Sequence, residues 1–175
     1  MQIPLKKYQF LNEQSLIVVT SVHEGFVYKA LNGKIEKILK IDVEKKENED
    51  DLESPGVFKG GVKELVHHGR SLEDKQQREG EKRKTAFLKK LKNTFNEIKN
   101  IENFISVYIF TPESIESELK NEIPIDLKNK IKAIFQGNFY NDHELELVRK
   151  IDSLQKEKKV VLTKEEASNI LKRRE

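Results

Sequence analysis

"VYIFTPESIESELK", residues 107–120, holds an unbroken apolar run, a threonine–proline step, and then apolar residues one helical turn apart. The run has strand length, and the proline ends it. Proline at a first helical position gives up no hydrogen bond and presets φ for the helix. Thr111 is expected to cap the helix, with Pro112 first, Ser114 third and Glu113 favouring the positive helix end. Ile115 and Leu119 then face inward. Strand, tight cap and helix form the βα half of a crossover unit, which makes the chain an α/β domain. Such a helix start is also where open α/β sheets tend to bind anions, although water is the commoner occupant.

Upstream, "SLIVVTS" at 15–21 is a short β-branched run and reads as a central strand. "EGFVYKAL" follows with Phe26, Tyr28 and Ala30 on one face. Asn32-Gly33 supplies both φ > 0 positions of a type I′ turn, so a hairpin is expected over 25–41. Its second arm alternates imperfectly: Ile35 and Lys37 share one face, while Glu36, Ile38 and Lys40 take the other. Residues 42–71 lack periodicity and contain "SPG" and "KGG", so they read as a long flexible loop. From Ser71, with Asp74 in a weak capping box, the pattern becomes helical. Phe87, Leu88, Leu91, Phe95 and Ile98 form its apolar stripe. Its polar first half, with Gly80 inside, is expected to project or fray while the second half docks.

"NFISVYIF" at 103–110 is the next buried strand. Pro124 breaks the helix that follows it. "DLKNKIKAIFQGNFY" fits either period, and the favoured reading is a helical turn and then a strand at about 131–136. Asn141 with Glu144 opens a further helix with Leu145, Val148 and Ile151 on its apolar face. Thr163 and Glu166 make a capping box for a last helix of about ten residues, too short to stand alone in water. That helix is expected to dock, either on its own sheet or on another molecule. The expected organisation is an α/β domain over 1–155 and a C-terminal helical extension over 156–175.

Composition narrows the chemistry. With no cysteine among 175 residues, disulfides, thiolate metal sites and thiol nucleophiles are excluded. The N-terminal residues do not form a signal peptide, and no apolar run is long enough to span a bilayer, so a soluble cytoplasmic protein is expected. The net charge of +3 is unevenly placed. Residues 42–53 hold seven acids against two lysines. Residues 63–99 hold eleven Lys/Arg against six acids. Such polarity speaks of partners or of two solvated surfaces rather than of fold.

Of the four histidines, His67 and His68 are adjacent and cannot make the i, i+4 pair of a helical zinc site. His23-Glu24 reads as a turn pair. "GVFKGGVKE" lacks phosphate-loop spacing, and no serine sits in a nucleophile context. No catalytic residue, metal or cofactor is expected. Lys59, Gly60, Gly61, His67 and His68 stand as loop candidates. The best functional surface is Arg70, Lys75, Arg78, Lys82, Arg83, Lys84, Lys89, Lys90 and Lys92. These cations suit phosphates, whose neutralisation releases counterions. With Phe87 and Phe95 in the core, binding there would follow the RNA backbone and not the bases.

The order of elements resembles the bacterial host-attachment protein family, within the wider group resembling the first domain of peptide-chain release factors and Pelota. It rests on "SLIVVTS", "FVYKALNGKIEKI", "GG…HHGR", the charged helix, and a strand-to-helix module with Pro112, Leu119, Pro124, Ile131–Phe135 and His143–Glu146 in its places. The resemblance covers about residues 15–150. It departs in having "TSVHEGF" where the family has ADxxxAR, and in lacking the release factors' GGQ, since Lys59-Gly60-Gly61 precedes Val62. Peptidyl-tRNA hydrolysis is therefore not implied. The resemblance implies a mixed sheet of about five strands with a hairpin and flanking helices, in a non-catalytic ribosome- or RNA-associated, translation-related factor. The alternative is a protein-interaction module using the acidic loop or the C-terminal helix.

Overall fold

The computed structural model of the chain describes residues 1–43 and 72–157, with side chains for all of these except 72–75. Of the loop expected over 42–71, Asp42 is instead the last residue of β3 and only Val43 follows it among the described residues; the rest of that loop, Ser71 of the expected capping box, and the C-terminal extension beyond Glu157 lie outside the described residues.

Five strands form one sheet: Ser15–Thr20 (β1), Glu24–Leu31 (β2), Lys34–Asp42 (β3), Ser106–Thr111 (β4) and Ile131–Gln136 (β5). Their order is β3-β2-β1-β4-β5, antiparallel from β3 to β1 and parallel from β1 to β5. Every residue of β1 and β4 is buried. Central strands covered on both faces need apolar residues at consecutive positions, which explains the two unbroken runs in the sequence.

Alternation divides the core into two layers. Leu16, Val18, Val107 and Ile109 face the helix Leu72–Ile101 (α1), through Phe87, Leu91, Phe95 and Ile98. Ile115 and Leu119 of Glu113–Glu122 (α2) complete that layer. Ile17, Val19, Tyr108 and Phe110 face the opposite way, toward Leu147, Val148 and Ile151 of the helix at 144–157 (α4). Ile3 and Phe10 of the N-terminal segment close this second layer. The short helix Ile125–Lys128 (α3) begins at Pro124 and leads into β5.

The imperfect alternation of β3 has a physical cause. Val27 pairs with Leu39 and Tyr28 with Lys37, leaving Ile38 as an extra residue opposite the partner strand. This bulge inverts the side-chain phase. Ile35 thus enters the layer beneath α4, whereas Ile41, six residues on, enters the layer beneath α1. At the hairpin tip, Asn32 and Gly33 have φ of 46° and 76°, as a type I′ turn needs.

Two capping expectations are corrected. Pro112 is the N-cap of α2, without a side-chain cap. The Thr111 hydroxyl is instead engaged in the core, accepting a hydrogen bond from Thr20 Oγ1 at 2.9 Å. The helix α4 starts at 144, and the Leu145 N–H donates to His143 Nδ1 at 3.2 Å, so the cap is His143 and not Asn141. Its buried apolar face is Leu147, Val148 and Ile151, with Leu145 only half-buried.

Within α1, residues 76–86 are exposed or half-buried, and full burial begins at Phe87. Gly80 lies in this projecting stretch, and a Cβ added there would meet nothing within 4 Å. Gly80→Ala is therefore expected to raise stability by about 0.5–1 kcal/mol by restricting the unfolded chain. Urea unfolding would show this as a higher midpoint with an unchanged slope.

Candidate nucleic-acid interface

The basic residues of α1 do not act as one surface. At about 100° per residue, Arg78, Lys82 and Lys89 lie within roughly 40° of one another, with Phe87 about 180° from Arg78. These three cations form an outward stripe opposite the docked face. All three are exposed, and none has an ion pair among the described residues. Lys75 lies in the same helix with its side chain undescribed, and Arg70 precedes the helix outside the described residues.

The remaining cations lean to the sides and are engaged there. On the α2 flank, Lys84 bridges Glu81 and Glu118 at 3.0 Å each, and Lys92 meets Glu122 at 2.9 Å. The hydrogen bond to Glu118, then that to Glu81, holds the Lys84 ammonium above the ordinary lysine pKa. On the β3 flank, Lys90 donates to the Asp42 carbonyl at 2.7 Å and Arg83 to the Val43 carbonyl at 3.4 Å. Nine sequence candidates thus yield three free cations on one line among the described residues. Arg83, Lys84, Lys90 and Lys92 serve first to hold α1 to its neighbours.

Lys59, Gly60, Gly61, His67 and His68 lie outside the described residues. The helix start after β4, where an anion was the less common expected occupant, carries Glu113 and Glu116 in its first turn. These carboxylates already complement the positive helix end. Among the described residues, no group of three or more His, Asp or Glu is placed to hold a metal ion, and no helix is long and apolar enough to cross a membrane.

One cluster was not foreseen from sequence. Phe26 of β2 stacks on Tyr140 at 4.8 Å and 11°, and Lys37 Nζ sits 3.9 Å from the same ring's centroid. The Tyr140 hydroxyl donates to Glu24, which also meets Lys40 at 3.7 Å. These contacts leave no open face of Phe26 for a stacked base. The partners lie 11 to 116 residues apart in sequence, so no local pattern signals them.

Burial raises the pKa of all four tyrosines: Tyr28 and Tyr140 to about 12, and Tyr8 and Tyr108 also upward. A group whose folded pKa exceeds its unfolded value contributes stability that is complete below the unfolded pKa, near 10, and drains above it. Folding stability is therefore expected to fall as pH rises from about 10 to 12. Ultraviolet titration should find tyrosinate appearing only above the range of free tyrosine, with its onset coinciding with unfolding. Half-ionisation of one tyrosine near pH 10 in the folded protein would contradict this.

No protein-family model matches the chain, and no curated protein matches it by sequence. The resemblance to the host-attachment family therefore remains one of motif order. Among solved structures, the crystal structure of an archaeal translation termination factor, aRF1, is similar over 87% of this chain and 42% of its own, with 14% identity and a TM-score of 0.44. It is a distant likeness. The chain spans less than half the length of that factor.

Proposed function

We propose that this chain is a non-catalytic, translation-related factor that associates with ribosomal or other RNA by clamping the phosphate backbone along α1. The observation that carries the reading is the line of Arg78, Lys82 and Lys89, exposed and free of ion pairs among the described residues, while the neighbouring cations are engaged. Cations committed to carboxylates have little to offer a phosphate; these three have no such competitor among the described residues. The stripe holds no exposed aromatic residue, so contacts would position RNA without reading its bases. The translation-related part rests on the order of sequence motifs.

Co-sedimentation with ribosomes tests it. The protein should pellet with ribosomes at about 50 mM salt and leave them as salt rises to several hundred millimolar. Absence from the ribosomal fractions at the lowest salt would end the ribosomal reading.

A further inference from the structure

Asn-Gly occurs once in the chain, at Asn32-Gly33, on the tip of the β2–β3 hairpin. Asparagine is a thermolabile residue, most of all before glycine. With no side chain in the way, the glycine nitrogen can reach the asparagine Cγ, expel ammonia and close a succinimide ring. Burial does not protect this pair. Asn32 is exposed and Gly33 half-buried, and both line an open surface cavity of about 560 Å³ that water can enter.

Hydrogen bonds from the N-terminal segment restrain it instead. The Gly33 N–H, which carries the proton of the nucleophile, donates to the Gln9 carbonyl at 2.6 Å. An amide so bonded is harder to deprotonate and cannot turn toward Cγ. The Gln9 side chain lies on the same glycine, since a Cβ added at Gly33 would meet Gln9 Oε1 at 2.6 Å. Gln9 is itself held: its Nε2 donates to the Pro4 and Lys7 carbonyls at 2.6 and 2.9 Å, and Phe10 beside it is fully buried. The electrophile, by contrast, is already polarised. Asn12 N–H donates to Asn32 Oδ1 at 2.9 Å, where negative charge develops as the ring closes.

We propose that Asn32-Gly33 is a latent succinimide site, latched by Gln9 and released when the N-terminal segment leaves the hairpin tip. On release, the Gly33 N–H proton passes to a solvent base and Gly33 N bonds to Asn32 Cγ. The Cγ–Nδ2 bond then breaks, and ammonia leaves with a proton returned from solvent. Water opens the ring, giving aspartate by attack at Cγ or isoaspartate by attack at the Asn32 backbone carbonyl. Aspartate keeps an acceptor for Asn12. Isoaspartate adds a methylene to the backbone of a two-residue turn whose geometry fixes the β2–β3 register, so the modification loosens the hairpin.

The test is peptide mapping of the full chain during incubation at mildly alkaline pH, in native buffer and in urea. Aspartate and isoaspartate products elute apart, and Asn32→Asp marks the first. A latched site reacts only through its open fraction, so the folded chain should convert Asn32 at least roughly tenfold more slowly than the unfolded one. Gln9→Ala should raise the folded rate roughly tenfold, with faster hydrogen exchange at the Gly33 N–H while the β1 amides stay protected. Gln9→Met, which keeps bulk and loses both donations, repeats the comparison where the alanine variant does not fold. Equal rates in native buffer and urea overturn the latch. A folded Gln9 variant that converts Asn32 no faster than wild type overturns the assignment to Gln9.

Discussion

Replacing Phe110 with alanine is expected to cost about 3–5 kcal/mol of folding free energy, the range for removing a fully enclosed aromatic ring. Phe110 is completely buried in β4. Its ring stacks on Phe135 of β5 at 4.5 Å and 10°, and meets Phe139 edge-on at 5.3 Å. The alanine would leave a cavity bounded by two rings and the α4 layer, with β1 behind it. Neighbours held in place by sheet hydrogen bonds collapse poorly into such a space. Domains of this size are stable by only about 5–15 kcal/mol, so the variant would lie close to its folding threshold. Ile38→Ala, at the exposed bulge of β3, should by contrast change stability by no more than about 0.5 kcal/mol. Urea midpoints compare the two. A Phe110→Ala cost below about 1.5 kcal/mol would mean that the α4 layer is not packed as described.

The second large effect concerns the stripe. The triple variant Arg78→Gln, Lys82→Gln, Lys89→Gln is expected to lower RNA affinity roughly tenfold or more at about 50 mM salt, because it deletes every stripe contact to phosphate. The substituted side chains are exposed, so the melting temperature should hardly move. The informative control carries Lys84→Gln and Lys92→Gln. It removes positive charge from the same helix, but from lysines engaged by Glu81, Glu118 and Glu122. Equal losses in both variants would mean that net charge alone governs binding and that the stripe has no special standing. Fluorescence anisotropy with a labelled ribosomal RNA fragment separates the two.

The sheet was legible because its signals are local. An Asn-Gly pair between apolar runs specifies a hairpin, and Thr-Pro after a β-branched run specifies a strand that hands over to a helix. The short turn at Ile125–Lys128 and the strand at Ile131–Gln136 followed from Pro124 and the change of period. What stayed hidden depends on distant partners. The bulge at Ile38 exists only as a mismatch between β2 and β3. The Thr111 hydroxyl had a plausible local role as a cap, but it met Thr20 across the β1–β4 pair. The α4 face buries Leu147 rather than Leu145 because of how the helix packs on the second core layer, which no local pattern fixes. The basic region shows the same limit at the level of function. Sequence proposed nine equivalent cations, and only packing against α2 and β3 could separate the engaged ones from the free ones.

The salt dependence of RNA binding tests the central claim most directly. Three phosphate contacts imply a slope of log affinity against log salt of about −2 for single strands and about −2.7 for duplex. That slope corresponds to a loss of about 20- to 40-fold between 50 and 200 mM salt. The wild-type chain should follow it, and the triple stripe variant should lie near zero slope. A wild-type slope near zero, or one that the triple variant retains in full, would contradict the assignment of α1 as a phosphate-binding face.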